Sequence, residues 1–261
     1  MAGESPEQDQ LKERLNRFLA RAGVASRRAA DELISSGAVR VNGERPPPSG
    51  TLIDPRLDQV TVDGRVVKPV TKHRYVVLNK PLGVITTAKD ESERTTVLDV
   101  VGEEGHSGHR LFPVGRLDAD TSGLLLLTDD GELAFRLTHP RYKVSKEYIA
   151  VVIGSPSTAD LEALRTGVKL EEGMTAPAEV EVIAVAPGSR DSVLAELRIV
   201  ISEGRHRQVR RMVHAIGRKV HTLVRTGFGP LKLGRLKVGG WRVLGEPEIV
   251  ALHRAVGIKT K

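Results

Sequence analysis

The sequence predicts an α+β chain: a small helix-helix-strand unit, followed by a larger body built on a mostly antiparallel mixed sheet. Three observations carry this. Apolar residues recur at helical spacing in two short blocks before Gly37, strands closed by Asn-Gly and Asp-Gly turns come next, and beyond residue 74 strands alternate with short helices without a regular strand-helix-strand rhythm. With 261 residues, 39% of them hydrophobic, the chain can fill one large core or two modest ones.

Residues 1–10 read as a disordered leader, being polar with no apolar run. Leu11, Leu15, Phe18, Leu19 and Ala22 then mark a helix that stops at Gly23. Ser26 can cap a second helix carrying Ala29, Ala30, Leu33 and Ile34, which ends at Gly37. "AVRVNGERP" is an alternating strand closed by Asn42-Gly43, and "DQVTVDGRVV" repeats the device with Asp63-Gly64. Together these give a first domain over residues 11–70. A second domain, residues 74–252, takes strands from "YVVLNKP", "SKEYIAVVI" and "SVLAELRIVIS", and helices from "TTVLDVV" and "STADLEALRTG". The last nine residues, 253–261, read as a basic tail.

Forty Lys and Arg against 33 Asp and Glu leave a formal charge of +7, which favours a polyanionic partner. Arg14, Arg17, Arg21, Arg27, Arg28 and Arg40 crowd into the first unit with few compensating acids. Either they are a solvated helix surface or they bind phosphates, and at this density the second is favoured. Arg14, Arg27, Arg28 and Arg40, with Asn42 at the turn, are the candidate RNA contacts. The absence of cysteine excludes disulfides and thiolate-held zinc, and no segment resembles a membrane span or signal peptide, so a cytoplasmic location is expected. Aromatic residues make up only 3%, too few for a stacking platform of the cold-shock or RNP type.

The segment "GRLDADTSGLLLLT", Gly115 to Thr128, sets Arg116 and Asp118 in a glycine-flanked turn that enters an apolar strand. Asp118, Asp120 and Ser122 imitate a calcium loop, but leucines fill its later positions and Pro113 stands where the entering helix should be; no metal is implied. The turn is then either an ion-paired cap or the presentation of a reactive carboxylate. In "EGRHRQVRRMVHAIG", Val209, Met212, Val213 and Ile216 form a buried helical stripe; Arg207, Arg211 and His214 point away from it to solvent, and Arg210 sits at its edge. An edge guanidinium about 4 Å from a carboxylate attracts it by about 4 kcal/mol at an effective dielectric of about 20, before desolvation. In "SKEYIAVV", Lys146 and Tyr148 share one side of a strand, and the tyrosine is either a core ring or a platform for a base.

"GRLDADTSGLLLLT" resembles the aspartate motif of pseudouridine synthases. "DDGELAFRLTHPRYKVSKEYIA" and "EGRHRQVRRMV" resemble, in the same order, the RsuA/RluB-type ribosomal RNA pseudouridine synthases. "RLNRFLARAGVASRRAADELISSGAVRVNG" is similar to the RNA-binding module that this branch shares with a small-subunit ribosomal protein. The resemblance implies isomerisation of uridine to pseudouridine in ribosomal RNA without metal or organic cofactor. It assigns Asp118 as the catalytic carboxylate, Arg210 as its basic partner and Tyr148 as the ring against the target base. Arg116 would hold the nucleotide out of the stack, with Lys146 a further substrate contact. The partner would be ribosomal RNA or a pre-ribosomal particle, more in keeping with the large subunit than the small, and the protein a monomer. The rival from another class is a non-catalytic RNA-binding or ribosome-assembly protein in which Asp118 is structural.

Overall fold

The computed structural model describes residues 12–68, 70, 72–88, 90, 92–188 and 193–259. The chain divides into two compact units, Met1–His73 and Arg74–Lys261. The leader expected over residues 1–10 lies outside the described residues.

The first unit packs two helices, α1 (Leu15–Arg21) and α2 (Arg27–Ser36), over short strands β1 (Glu13–Arg14), β2 (Val39–Val41), β3 (Leu52–Ile53), β4 (Val60–Val62) and β5 (Arg65–Val66). Its core is Leu15, Phe18, Leu19, Ala30, Ile34, Val39, Ile53 and Val60. The Ser26 hydroxyl accepts the Ala29 N–H at 3.2 Å, and Gly37 closes α2 in the left-handed region at φ 84°, as the cap reading predicts. The first helix begins later than its apolar spacing suggests. Glu13 and Arg14 are extended and pair with Ile53 and Leu52, so ladder hydrogen bonds take residues that a helix from Leu11 would have used. Asp63-Gly64 closes a β4–β5 hairpin. The strand ending at Asn42-Gly43, by contrast, takes β4 as its partner, leaving a single bridge from Val41 to Glu44 across the turn.

In the second unit nine of the described strands form one mixed sheet. Its main path runs β12 (Glu179–Pro187), β13 (Val193–Ile201), β9 (Lys146–Ile153), β14 (Lys219–Phe228), β8 (Ser122–Thr128), β6 (Tyr75–Lys80) and β16 (Trp241–Val243). Beside that path β7 (Phe112–Pro113) joins β8 and β15 (Leu231–Lys232) joins β14, while β10 (Lys169–Leu170) and β11 (Gly173–Met174) pair as a separate antiparallel hairpin. Every pairing is antiparallel except β14 with β8. Apolar clusters lie on both faces, so β8 buries Leu124 and Leu126 in one and Leu125 and Leu127 in the other. That explains four consecutive leucines: a strand covered on both sides has no polar alternate. Helices α3 (Val97–His106), α4 (Gly131–Thr138), α5 (Thr158–Thr166), α6 (Gln208–Ala215) and α7 (Glu246–Ala255) flank the sheet.

The end of the chain departs from the basic tail expected over residues 253–261. His253, Arg254 and Ala255 complete α7, Val256 is buried, and Ile258 packs on the same cluster as Leu252. Spaced apolar residues between the charges anchor this segment; of it, only Thr260 and Lys261 lie outside the described residues.

Candidate active site

The parallel contact between β8 and β14 positions everything that follows. At Gly123, opposite Arg225, the two backbones come so close that a Cβ would sit 2.3 Å from the Arg225 carbonyl oxygen, and φ is +110°. Glycine is therefore required there, for both space and conformation. The turn before it is held from three sides. Thr86 donates its hydroxyl to the Leu117 carbonyl at 2.7 Å, Gly83 N–H donates to Ala119 at 2.8 Å, and Arg210 Nη2 donates to the Asp120 carbonyl at 2.6 Å. Asp118 leaves this turn with its side chain 29% exposed, at the wall of a pocket of about 410 Å³.

Arg116, Asp118, Lys146 and Tyr148 all line that pocket. Tyr148 is buried on β9, opposite Arg225 of β14, and shares a strand side with Lys146. Arg116 is exposed at the rim and has no ion-pair partner among the described residues. The apolar wall comes from Leu117, Ile201, Val209, Leu223 and Phe228.

The expected pairing of Arg210 with Asp118 is not what the structure holds. Arg210 turns to Asp120, placing Nε 3.3 Å from its carboxylate and Nη2 on its carbonyl. The guanidinium nearest Asp118 belongs to Arg207, at 3.8 Å, which also grips Asp120 bidentately at 3.0 and 2.6 Å. Arg207 was expected to face solvent as part of the helix surface. It instead precedes α6 in the left-handed region, φ 49° and ψ 35°, which swings its side chain off the helical wheel and toward the aspartates. Arg211 does stay on the outer surface and pairs with Glu172. Asp120 is held below the usual carboxylate range, first by the Arg207 hydrogen bonds and then by the charges of Arg210 and Arg207.

Three cations drawn into the fold complete the surroundings, and two of them, Lys80 and Arg225, were missed in the sequence. Lys80, at the end of β6, has no exposed surface and donates to the carbonyls of Pro81 at 2.9 Å and Val84 at 2.8 Å. Burial pushes its ammonium down to about 8, against the opposing pull of Asp118 and Asp120. Lys146 is likewise pushed down to about 8, by burial and then by the Arg225 charge, with Glu203 acting the other way. Arg225 is 2% exposed, donates from Nε to the Leu124 carbonyl at 2.8 Å, and leaves Nη2 buried without a hydrogen-bond partner among the described residues. A signal for Arg225 existed: at period two it falls on the side of Leu223, where a solvent-facing arginine has no place.

Residues 74–215 match the RNA pseudouridylate synthase family. This chain belongs to that family. Residues 13–45 match the S4 domain. The chain is 43% identical to the ribosomal large subunit pseudouridine synthase B of Bacillus subtilis (strain 168), over 92% of this chain and 96% of the relative. It is 42% identical to an uncharacterized RNA pseudouridine synthase of Aquifex aeolicus (strain VF5), over 94% of this chain and 96% of the relative. Among solved structures, a pseudouridylate synthase crystal structure superposes with a TM-score of 0.65 at 32% identity, covering 92% of this chain and 99% of the other. The pocket that holds Asp118 thus lies in an RNA pseudouridine synthase, an isomerase, with an S4 domain ahead of it.

The candidate RNA contacts of the S4-containing unit divide into two groups. Arg14, Arg27 and Arg28 are exposed and have no ion-pair partner among the described residues. Arg40 is exposed and reaches the Gly43 carbonyl at 3.3 Å. Asn42 is committed to the fold: its amide donates to Asp58 at 2.8 Å and its carbonyl accepts from Gln59 N–H at 2.8 Å. No described helix is long and apolar enough to cross a membrane.

Proposed function

We propose that this synthase converts a uridine of large-subunit ribosomal RNA, free or in a pre-ribosomal particle, to pseudouridine in the cytoplasm, acting as a monomer. The likeness to the large subunit pseudouridine synthase B of Bacillus subtilis supports the choice of RNA. The observation that carries the reading is the meeting of a partly exposed carboxylate, Asp118, with a buried tyrosine, Tyr148, in a pocket whose lining also includes apolar residues, the cations Arg116, Lys146 and Arg225, and a second carboxylate, Glu203.

The reaction breaks the N1–C1′ bond of uridine, turns the freed ring and rejoins it through C5, with C5 losing a proton and N1 gaining one. A carboxylate can act on the sugar as nucleophile or as base. Asp118 takes this role. Tyr148 covers the flipped ring, a stacking contact of about 1–3 kcal/mol that offsets the few kcal/mol needed to extrude a base. Arg116, unpaired at the rim, takes the backbone or the vacated position in the RNA stack, and Lys146 reaches the nucleotide from the pocket floor. Arg210 acts on Asp118 through the turn, by fixing the Asp120 carbonyl, while Arg207 supplies the nearby positive charge. The unpaired arginines Arg14, Arg27, Arg28 and Arg40 bind phosphates.

Mapping pseudouridines in ribosomal RNA from cells lacking this protein tests the reading. A large-subunit position should revert to uridine and return on complementation. Retention of every site, or loss confined to small-subunit RNA, would contradict it.

A further inference from the structure

Arg225 is a cation that the fold has enclosed and left half satisfied. One nitrogen is anchored on the Leu124 carbonyl, another is buried with no hydrogen-bond partner, and no carboxylate pairs with the guanidinium among the described residues. Such a group is costly to bury, and its retention in a native structure calls for a role. Its surroundings narrow the choice. The guanidinium lies 5.1 Å from the centroid of Phe228, and the Lys146 ammonium lies 6.0 Å from the same ring, so two cations share one aromatic surface. Among the described residues Lys146 donates only to the Val144 carbonyl, at 3.0 Å. Both cations line the pocket that holds Asp118, and Arg225 sits across the strand pair from Tyr148.

We propose that Arg225 and Lys146 form a cationic floor that takes up the negative charge of the uracil ring while it is detached from the ribose. The inference rests on the functional reading above. When N1–C1′ breaks, both bonding electrons leave with the uracil and spread over O2 and O4. The electron-poor C1′ is met by the Asp118 carboxylate, or relieved by loss of a C2′ proton to it. The ring then turns and C5 returns the electron pair to C1′, displacing the Asp118 carboxylate or, on the second route, as Asp118 hands the proton back to C2′; the C5 proton then leaves to a base and N1 takes up a proton, so the product is an isomer of the substrate. The ring is anionic only between cleavage and rejoining, so fixed cations at its resting place favour the bond-breaking transition state over bound uridine. Lys146, lowered to about 8, is still largely charged at neutral pH and suited to this role. A phosphodiester could use the same chemistry, but it stays tied to the RNA strand, and Arg225 is 2% exposed whereas Arg116 stands open at the rim.

The test is a substituent experiment on Arg225→Gln, using large-subunit ribosomal RNA transcripts that carry uridine or 5-fluorouridine. Fluorine stabilises the detached ring anion, so a variant lacking the cation is handicapped less on the fluorinated base. Under single-turnover conditions, Arg225→Gln should consume uridine about 100-fold more slowly than wild type but 5-fluorouridine only about 10-fold more slowly. RNA affinity should change by less than about threefold. An equal deficit on both bases, or a deficit matched by lost affinity, assigns Arg225 to a phosphate or to the fold and overturns the proposal. Should Arg225→Gln fail to fold, Lys146→Met carries the same test, with the same two outcomes. Wild type that leaves uridine unchanged would overturn the functional reading itself, which is a different result from an active wild type and an equally active variant.

Discussion

The two units of this chain carry positive charge in opposite ways. In the first, Arg14, Arg27, Arg28 and Arg40 stand in water on the surface of a small core. In the second, Lys80, Lys146 and Arg225 are drawn into the sheet beside Asp118, and burial lowers both lysines to about 8. An exposed arginine meets phosphate at little cost and its effect is screened by salt, whereas a buried cation acts over short range in a weakly screened medium. The first arrangement suits affinity for a polyanion; the second suits stabilising charge that appears during a reaction.

Substitutions can sharpen that contrast. The largest effect among the arginines around the turn is expected from Arg210→Ala, which removes the anchor of the Asp120 carbonyl. Its single-turnover rate should fall by about 100-fold with RNA affinity within about threefold of wild type. Equal losses in rate and affinity would make Arg210 a phosphate contact. A smaller fall in rate, about fivefold, is expected for Arg207→Ala, because its pair with Asp118 is long and partly exposed and such pairs contribute about 1 kcal/mol at most. The double variant Arg27→Ala/Arg28→Ala should leave the rate at saturating RNA unchanged. It should reduce the slope of log affinity against log salt by about 2; an unaltered slope would show these arginines to be a solvated surface.

The smallest effect concerns pH and stability. A lysine whose folded pKa lies below its unfolded value binds fewer protons in the native state, so stability should rise as pH climbs from about 8 toward about 10. Urea unfolding of Lys146→Met should show that rise reduced by on the order of 1 kcal/mol relative to wild type. An identical pH dependence in the two proteins would mean that Lys146 is not desolvated.

The sequence made the first kind of charge readable and concealed much of the second. Arg28 falls off the stripe of Ala30 and Ile34 by helical phase, and Arg27, in phase with that stripe, is exposed as the first residue after the capping serine. The turn carrying Asp118 was readable because two glycines and four leucines constrain it from both ends. Lys80 ends β6, where a charged residue ordinarily marks the solvent end of a strand, and only sheet order reveals that this end lies beside Asp118; Arg225 lies inside β14, and its one signal is the period that puts it on the side of Leu223. Arg207 was misplaced for a different reason: a single left-handed residue before α6 breaks the helical phase from which its direction was inferred. The C-terminal segment failed on composition, its basic residues masking Val256 and Ile258, which tie it to the core.

The central claim is that Asp118, in its pocket with Tyr148, is the carboxylate that acts on the ribose, and Asp118→Asn tests it with almost no change in shape. Tritium release from ribosomal RNA labelled at C5 of uridine should vanish in this variant, while RNA affinity and thermal stability stay near those of wild type. Release at the wild-type rate from a folded Asp118→Asn protein would contradict the account.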